Sequence, residues 1–485
     1  MKRGRSIPKF LLTLALVFLV QCLFQNCDSG FNSLSSQDQG ANSQGGWDSC
    51  PITTAPIYPS SKRILYVDSS DGDDSRDGLT AASAWRTLKK AGDLASAGDL
   101  VLLKGSFLDE QLTPRNSGTL SERIVFKSAP GQVAKLSKRG ISISSKSYIV
   151  IDGLEMTDIY FPYATIILSS SNNISVRNMN IHDTSRIGIY DGSYANRIED
   201  NVFSRCGPTP TDPQVCAQDS DPAKKCANDG NYSCILMNST ANTKNIITRN
   251  KFNFSNGPLM VLNGGPGSIG NEISYNDLSN PWSVGLINFG ANQSLIQCNK
   301  IHGSSGGTAL LITSSDNIIR YNQIYDNKGE GLALRTFPGT KTSRNHIYGN
   351  TITGNGGPNI RLTMQYIPNY EPDNMKDNVF ENNIFWDNNH LRDGHWYYPN
   401  PHSKMVEQFE VVIDMYHSNV SWEQGSLNGN IIRNNINGSR LDEPGNGWFM
   451  LVLAGGVGST FLTLDEAQAT YPQNISGNKI EKPVF

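Results

Sequence analysis

The pattern I-x-x-N-x-I, repeated around an asparagine, constrains this chain more than any other feature. Its clearest copy is "IIRYNQI" at residues 318–324. Variants centre on Asn178, Asn201, Asn250, Asn276, Asn299, Asn322, Asn350, Asn382, Asn434 and Asn478. The tightest intervals, Asn178 to Asn201, Asn276 to Asn299 and Asn299 to Asn322, are each 23 residues. A unit of that length holds two or three strands of about five residues, separated by Gly, Asn, Asp and Ser turns. One such unit cannot bury its inner face, whereas stacked coils can. The period therefore predicts an all-β fold, a parallel β-helix whose coils lie about 4.8 Å apart, with the repeated asparagines in one internal ladder. Asn suits a tight inward bend because it tolerates left-handed backbone and satisfies turn amides. A β-sandwich gives no reason for a fixed period.

Four further stretches resemble a known family: the opening "LYVDSSDGDDSRDGLTAASAWRTLKKAGDL", the coils "SERIVFKSAPGQVAKL" and "YIVIDGLEMTD", and the closing "TLDEAQATYPQNISGNKIEKPVF". They look like the right-handed parallel β-helix family, which contains polysaccharide lyases, uronate epimerases and exported proteins. The resemblance implies one right-handed solenoid over residues 61–485, capped at its N-terminal end by a helix at 84–95. Gly153 stands where later coils carry Asn. Fold of this kind does not settle activity.

The N-terminus points to export. Lys2, Arg3, Arg5 and Lys9 precede the 11-residue apolar run "FLLTLALVFLV", too short to span a bilayer and laid out as a secretory signal over residues 1–26. The following "QCLFQNC" resembles a lipoprotein lipobox, although Asn26 stands where lipoboxes carry a small residue. That resemblance implies lipidation at Cys27, a membrane anchor and a place in the cell envelope or at the cell surface; plain secretion is the alternative. Residues 27–60, rich in Ser, Gly, Gln and Asn, read as a disordered tether. Removing residues 1–26 takes away four positive charges, so the net charge goes from −3 to −7. An acidic body argues against nucleic acid as a partner, and the protein is expected as a monomer. Cys206, Cys216, Cys226 and Cys234 crowd into one segment, 206–234, and in an exported chain suggest two disulfides with three pairings open.

Departures from the period mark where loops leave the coil. Asn201 to Asn250 spans 49 residues, Asn350 to Asn382 spans 32, Asn382 to Asn434 spans 52 and Asn434 to Asn478 spans 44, so the long loops lie mostly in the C-terminal half. The loop at 386–408 gathers Trp386, His390, Arg392, His395, Trp396, Tyr397 and Tyr398. Flat aromatic faces beside polar groups suit sugar rings, and equally suit packing of the loop onto the coil. His390, His395 and His402 lack the spacing of a familiar zinc site.

A second constellation is "GEGLALRTFPGTKTSRN" followed one coil later by "PNIRLT". If Arg335 and Arg361 stack, they form a cationic site for a uronate carboxylate. In uronate lyases a base then removes the C5 proton, and Lys341 is the candidate base beside Arg335 and Arg361. The bland alternative is a solvated charged face with Glu330 and Asp326 as partners. Many lyases of this fold use calcium; here Asp68, Asp71, Asp73, Asp74 and Asp77, or Asp219, Asp221 and Asp229, could supply oxygens, but neither set has an EF-hand pattern. Two functions stay open: a surface-anchored enzyme cleaving an acidic polysaccharide by β-elimination, and a non-catalytic glycan-binding or adhesion protein.

Overall fold

In the computed structural model the described residues are 50, 62–160, 164–207, 233–265, 267–337, 340–364, 374–386, 411–415, 427–438, 448–454 and 458–480. Their strands build three sheets of a right-handed parallel β-helix. Sheet A runs from Arg63–Asp68 to Ile475–Ser476, sheet B from Ser106–Leu108 to Lys479–Ile480, and sheet C from Ile141–Ser144 to Gly458–Thr463. Pairing is parallel and in register from coil to coil. The exception is the last pair of sheet C, Trp448–Ala454 with Gly458–Thr463, which is antiparallel.

Alternation along each short strand sends one column of side chains inward. In sheet A, Val176, Ile198, Ile247, Ile273, Ile296, Ile319, Ile347, Phe380 and Ile432 stack on one another and are buried. In sheet B the column is Ile181, Phe203, Phe252, Leu278, Ile301, Ile324, Ile352 and Phe385, also buried. Phe203 and Phe252 stack with ring centroids 4.6 Å apart, close to the strand spacing itself.

The asparagine ladder is present, with a correction to its membership. It comprises Asn201, Asn250, Asn276, Asn299, Asn322, Asn350, Asn383, Asn435 and Asn478, so Asn382 and Asn434 give way to their neighbours and Asn178 gives way to Met179. Each Oδ1 accepts the backbone N–H of the preceding rung at 2.8–3.0 Å. Each Nδ2 bonds onward, as Asn322 Nδ2 does to Asn350 Oδ1 and to Ile296 O, both at 2.9 Å. The residue before each rung adopts the left-handed backbone, whatever its type: Asn178 (φ 53), Asp200 (58), Arg249 (55), Tyr275 (57), Cys298 (56), Tyr321 (55), Asn382 (54) and Asn434 (56). Thus the rung asparagine is selected for its bonds and not for its own φ. A left-handed non-glycine residue is disfavoured by about 1–2 kcal/mol, and a net gain of about 1 kcal/mol per buried hydrogen bond offsets it.

A second ladder, which the 23-residue reading does not contain, lies at the other end of the sheet A strands. Asn245 accepts from Asn196 N, Asn271 from Asn245 N, Asn345 from Asn317 N, Asn378 from Asn345 N, and Asn430 from Asn378 N. Three-residue strands such as Ile318–Arg320 are therefore fixed at both ends.

The helix in the opening segment is shorter than the expected 84–95: it runs Leu88–Leu94 with Thr87 as N-cap, after a 3-10 turn at Ala81–Ser83. Asp74 sets that start by accepting from Arg86 N, Thr87 N and Thr87 Oγ1. Trp85 instead pairs with Val67 and donates Nε1–H to Arg76 O. Two disulfides are formed among the described residues. Cys206–Cys234 closes the base of the large insertion; Cys216 and Cys226 lie outside the described residues. Cys50–Cys298, across 248 residues, was not expected, because Cys50 falls in the segment read as tether. On the chain-entropy account the two are worth about 3–4 and about 5 kcal/mol.

Candidate functional site

From Asp152 onward, sheet A passes to sheet B through two residues every time, as in Tyr321–Asn322 between Arg320 and Gln323. Over the same coils the long connections instead join sheet C to one of its neighbours, among them 207–234, 337–345, 365–378, 387–410, 416–430 and 439–447. The connectivity thus puts the variable segments on both margins of sheet C, and its outer face is where a site would be framed.

On that face the column through Gly188, Leu236, Val261, Ile287, Leu311 and Ala333 is free of charge until it reaches Arg361. Arg335 sits in strand Leu332–Thr336, two residues along from Ala333, and pairs with Thr363 of strand Ile360–Met364. Neighbouring strands therefore bring Arg335 and Arg361 together. What joins them is Glu330, just before the first of these strands. Arg361 Nη1 donates to Glu330 Oε1 at 2.5 Å, Arg335 Nη2 lies 3.8 Å from Oε2, and Thr308 Oγ1 donates to Oε2. The side chains of Glu330, Arg361 and Arg335 are 14%, 12% and 23% exposed, so this is a shielded cluster rather than a solvated face.

Burial alone would push the Glu330 carboxyl up, but the charges of Arg361 and Arg335 and the Thr308 hydrogen bond outweigh it and hold it below the usual range. It is therefore an anion, and among the described residues two guanidiniums, those of Arg335 and Arg361, face this one carboxylate. Arg335 Nε and Thr363 Oγ1 are buried and have no hydrogen-bond partner among the described residues. A shielded donor without an acceptor is costly, on the order of 1–3 kcal/mol.

Lys341 lies on the connection from Thr336 to His346, is exposed, and takes part in neither ion pair of Glu330. Trp386 ends strand Ile384–Trp386 of sheet B, a different sheet from Arg335 and Arg361. His390, Arg392, His395, Trp396, Tyr397, Tyr398 and Cys27 lie outside the described residues. Glu330 was expected as a partner of these charges only on a solvated face, and Thr308 did not emerge from sequence; the 22-residue offset between them, close to the repeat period, is the signal that could have paired them.

Calcium does not fit the opening acidic turn. Asp68 accepts from Ser70 N and Asp71 N and pairs with Lys104, Asp73 accepts from Ser75, Asp74 caps the helix, and Asp77 accepts from Leu79 N and Ser83 Oγ. Their oxygens are engaged in turn bonds, and among the described residues no group of three or more His, Cys, Asp or Glu is arranged to hold a metal. Asp219, Asp221 and Asp229 lie outside the described residues. No described helix is long and apolar enough to cross a membrane.

Residues 215–341 match the family model for the right handed beta helix region. Among solved structures, XylC in complex with xylose is similar at 11% identity, covering 80% of this chain and 86% of that one with a TM-score of 0.50. Pectate lyase Pel9A is similar at 16% identity over 67% and 76%, TM-score 0.41. A mannuronic acid specific polysaccharide family 6 lyase from human gut microbiota is similar at 12% over 78% and 87%, TM-score 0.45. No curated protein matches the sequence. With its three parallel sheets and inward asparagine ladders, the protein is a right-handed parallel β-helix, and at these identities the likeness is one of fold.

Proposed function

We propose that the outer face of sheet C binds an acidic, uronate-containing polysaccharide, with Arg335 and Arg361 holding a uronate carboxylate and Glu330 as their internal counter-ion. The observation that carries this reading is the convergence of Arg335 and Arg361 on one shielded carboxylate of the sheet C face, together with Arg335 Nε, which has no hydrogen-bond partner among the described residues. A shielded guanidinium offers two parallel donors to a carboxylate, which suits recognition of one sugar unit in a chain.

The same arrangement supports β-elimination. Neutralising the carboxylate makes the C5 proton more acidic; a base takes that proton, the C4–O bond breaks, the leaving chain keeps the electron pair, and a C4=C5 double bond remains. Lys341 is the base in this reading. Its exposed position, outside the Glu330 ion pairs, favours a second reading in which the face binds glycan without turnover. The deciding experiment incubates the purified protein with alginate, pectate and glycosaminoglycans, with and without calcium, recording both binding and the absorbance of the unsaturated product. Binding with absorbance supports a lyase whose turnover Lys341→Ala removes. Binding with a flat trace supports adhesion, and neither result sinks both readings. Arg335→Gln is the informative variant, because it leaves the closer Arg361–Glu330 pair in place.

We also propose an exported, monomeric protein, lipid-anchored at Cys27 in the cell envelope. The charged and apolar N-terminus and the two disulfides, bonds that persist in oxidising compartments, support it. Labelled fatty acid incorporated into wild type and absent from Cys27→Ala is the expected result; equal labelling would rule the anchor out.

A further inference from the structure

The outer face of sheet B carries a feature that the acidic-glycan reading does not use. His302, Tyr325, Thr353 and Trp386 occupy one outward column on four successive strands, paired His302 to Tyr325, Tyr325 to Thr353 and Thr353 to Trp386. The residues before them, Ile301, Ile324, Ile352 and Phe385, point into the core and are fully buried, so alternation turns the column outward. His302 and Tyr325 lie flat on each other, with centroids 4.8 Å apart and planes 4° from parallel. Asp277 holds the imidazole from beyond, its Oδ1 2.9 Å from His302 Nε2. Tyr325 and Trp386 are separated by two strand spacings, about 9.6 Å, with only Thr353 between them. Gln323 and Thr351, both half-buried and uncharged, fill the next outward column beside Tyr325 and Thr353.

We infer that this column is a second glycan-binding surface, one that takes the ring face of an uncharged sugar unit in the interval between Tyr325 and Trp386, since the other face of Tyr325 is covered by His302. Flat aromatic faces cover the C–H side of a pyranose, while neighbouring amide and hydroxyl groups bond its hydroxyls. Tyr325 and Trp386 stand on either side of that interval in a line set by the strand register, and the small Thr353 leaves it open. The column from His302 to Trp386 contains no carboxylate; those flanking it are Asp277, engaged by His302, and Asp326, which follows Tyr325. Recognition here rests on stacking and neutral hydrogen bonds, where the sheet C cluster rests on charge. Trp386 accordingly belongs to this surface and not to the arginine site. A structural ladder that merely stacks for stability is the competing account.

The test is a titration of the full chain with neutral gluco-, manno- and xylo-hexaoses and with polyuronates, at low salt and at about 1 M salt, where the screening length falls to about 3 Å. Neutral hexaose binding should survive high salt and persist in Arg335→Gln. It should weaken about tenfold in Tyr325→Leu and in Trp386→Leu, with polyuronate binding at low salt retained. Thr353→Glu leaves both rings in place and puts a carboxylate between them, so it guards against a variant that fails to fold; it should abolish hexaose binding at unchanged Tm. Absence of binding to all three neutral hexaoses would overturn the proposal. So would loss of Tm in Tyr325→Leu with hexaose affinity unchanged, which is the behaviour of a purely structural stack. Neither outcome bears on Arg335 and Arg361, which stand or fall with the polyuronates.

Discussion

The corner between sheets A and B and the margins of sheet C belong to the same coils, yet they tolerate opposite things. At the corner a left-handed residue and a buried asparagine turn the chain in two residues, coil after coil from Glu199 to Lys479. At the margins of sheet C the connections range up to the 28 residues of 207–234. The difference has a physical source. A corner rung donates and accepts bonds along the axis, so its geometry is dictated by the rungs above and below. In the sheet C margins such axial bonds are local, as where Ser304, Asn327 and Asn355 form a short ladder between sheets B and C, and the long connections depart from it. Regularity is therefore concentrated where the fold is held together, and chemical variety where Arg335, Arg361 and Glu330 converge.

That contrast can be broken by insertion. One glycine placed between Tyr321 and Asn322 shifts Gln323–Tyr325 by one residue, turning Ile324 outward; the loss should be on the order of 5 kcal/mol or complete, read by denaturant unfolding. One glycine after Gly306, in the connection from sheet B to sheet C, where an added Cβ would meet nothing within 4 Å, should change stability by less than about 1 kcal/mol. Equal losses at the two sites would remove the distinction. Adjacent asparagines sharpen it further. Asn383→Leu strands the buried partners of a rung and should destabilise by about 1–3 kcal/mol, whereas Asn382→Gly, at an exposed left-handed position, should stay within about 1 kcal/mol of wild type or gain.

The smallest effect lies on the outer surface. Arg205, donating to both oxygens of Asp183, and His182 beside it hold the Asp183 carboxyl at about 2. Its native value is depressed, so its contribution is present above the ordinary aspartate range near about 4 and is lost as pH falls toward about 2. With Arg205 55% exposed, water screens the pair, and Asp183→Asn should flatten acid unfolding in that window by under about 1 kcal/mol. A larger change would mean that outer ion pairs matter more to this solenoid than the ladders imply.

The fold was legible because the ladder asparagine is both periodic and chemically required. Its exact position was not always so: in "ENN" and "RNN" two asparagines compete, and Asn382 and Asn434 were taken where Asn383 and Asn435 form the rungs. The second ladder resolves the tie. Asn378 and Asn430 stand five residues before Asn383 and Asn435, as Asn317 stands before Asn322. Arg335 and Arg361 were legible as neighbours because register follows from the repeat. Glu330 as their shared anion was not, since its side-chain direction depends on packing around Thr308 one coil earlier. Cys50 pairing with Cys298 had no signal at all: a single cysteine in a polar segment carries no register.

That bond changes how the molecule carries load. A pull on the chain ahead of Cys50 enters the solenoid at Cys298, in the two-residue corner that follows strand Leu295–Gln297, and not at Arg63, where the first strand begins. While the disulfide holds, the sheet A strands from Arg63–Asp68 to Glu272–Ser274 sit inside the 248-residue loop, off the line of tension between the N-terminus and the last coils. Reduction would move the point of attachment eight strand spacings along the stack, about 38 Å, and place every coil in series.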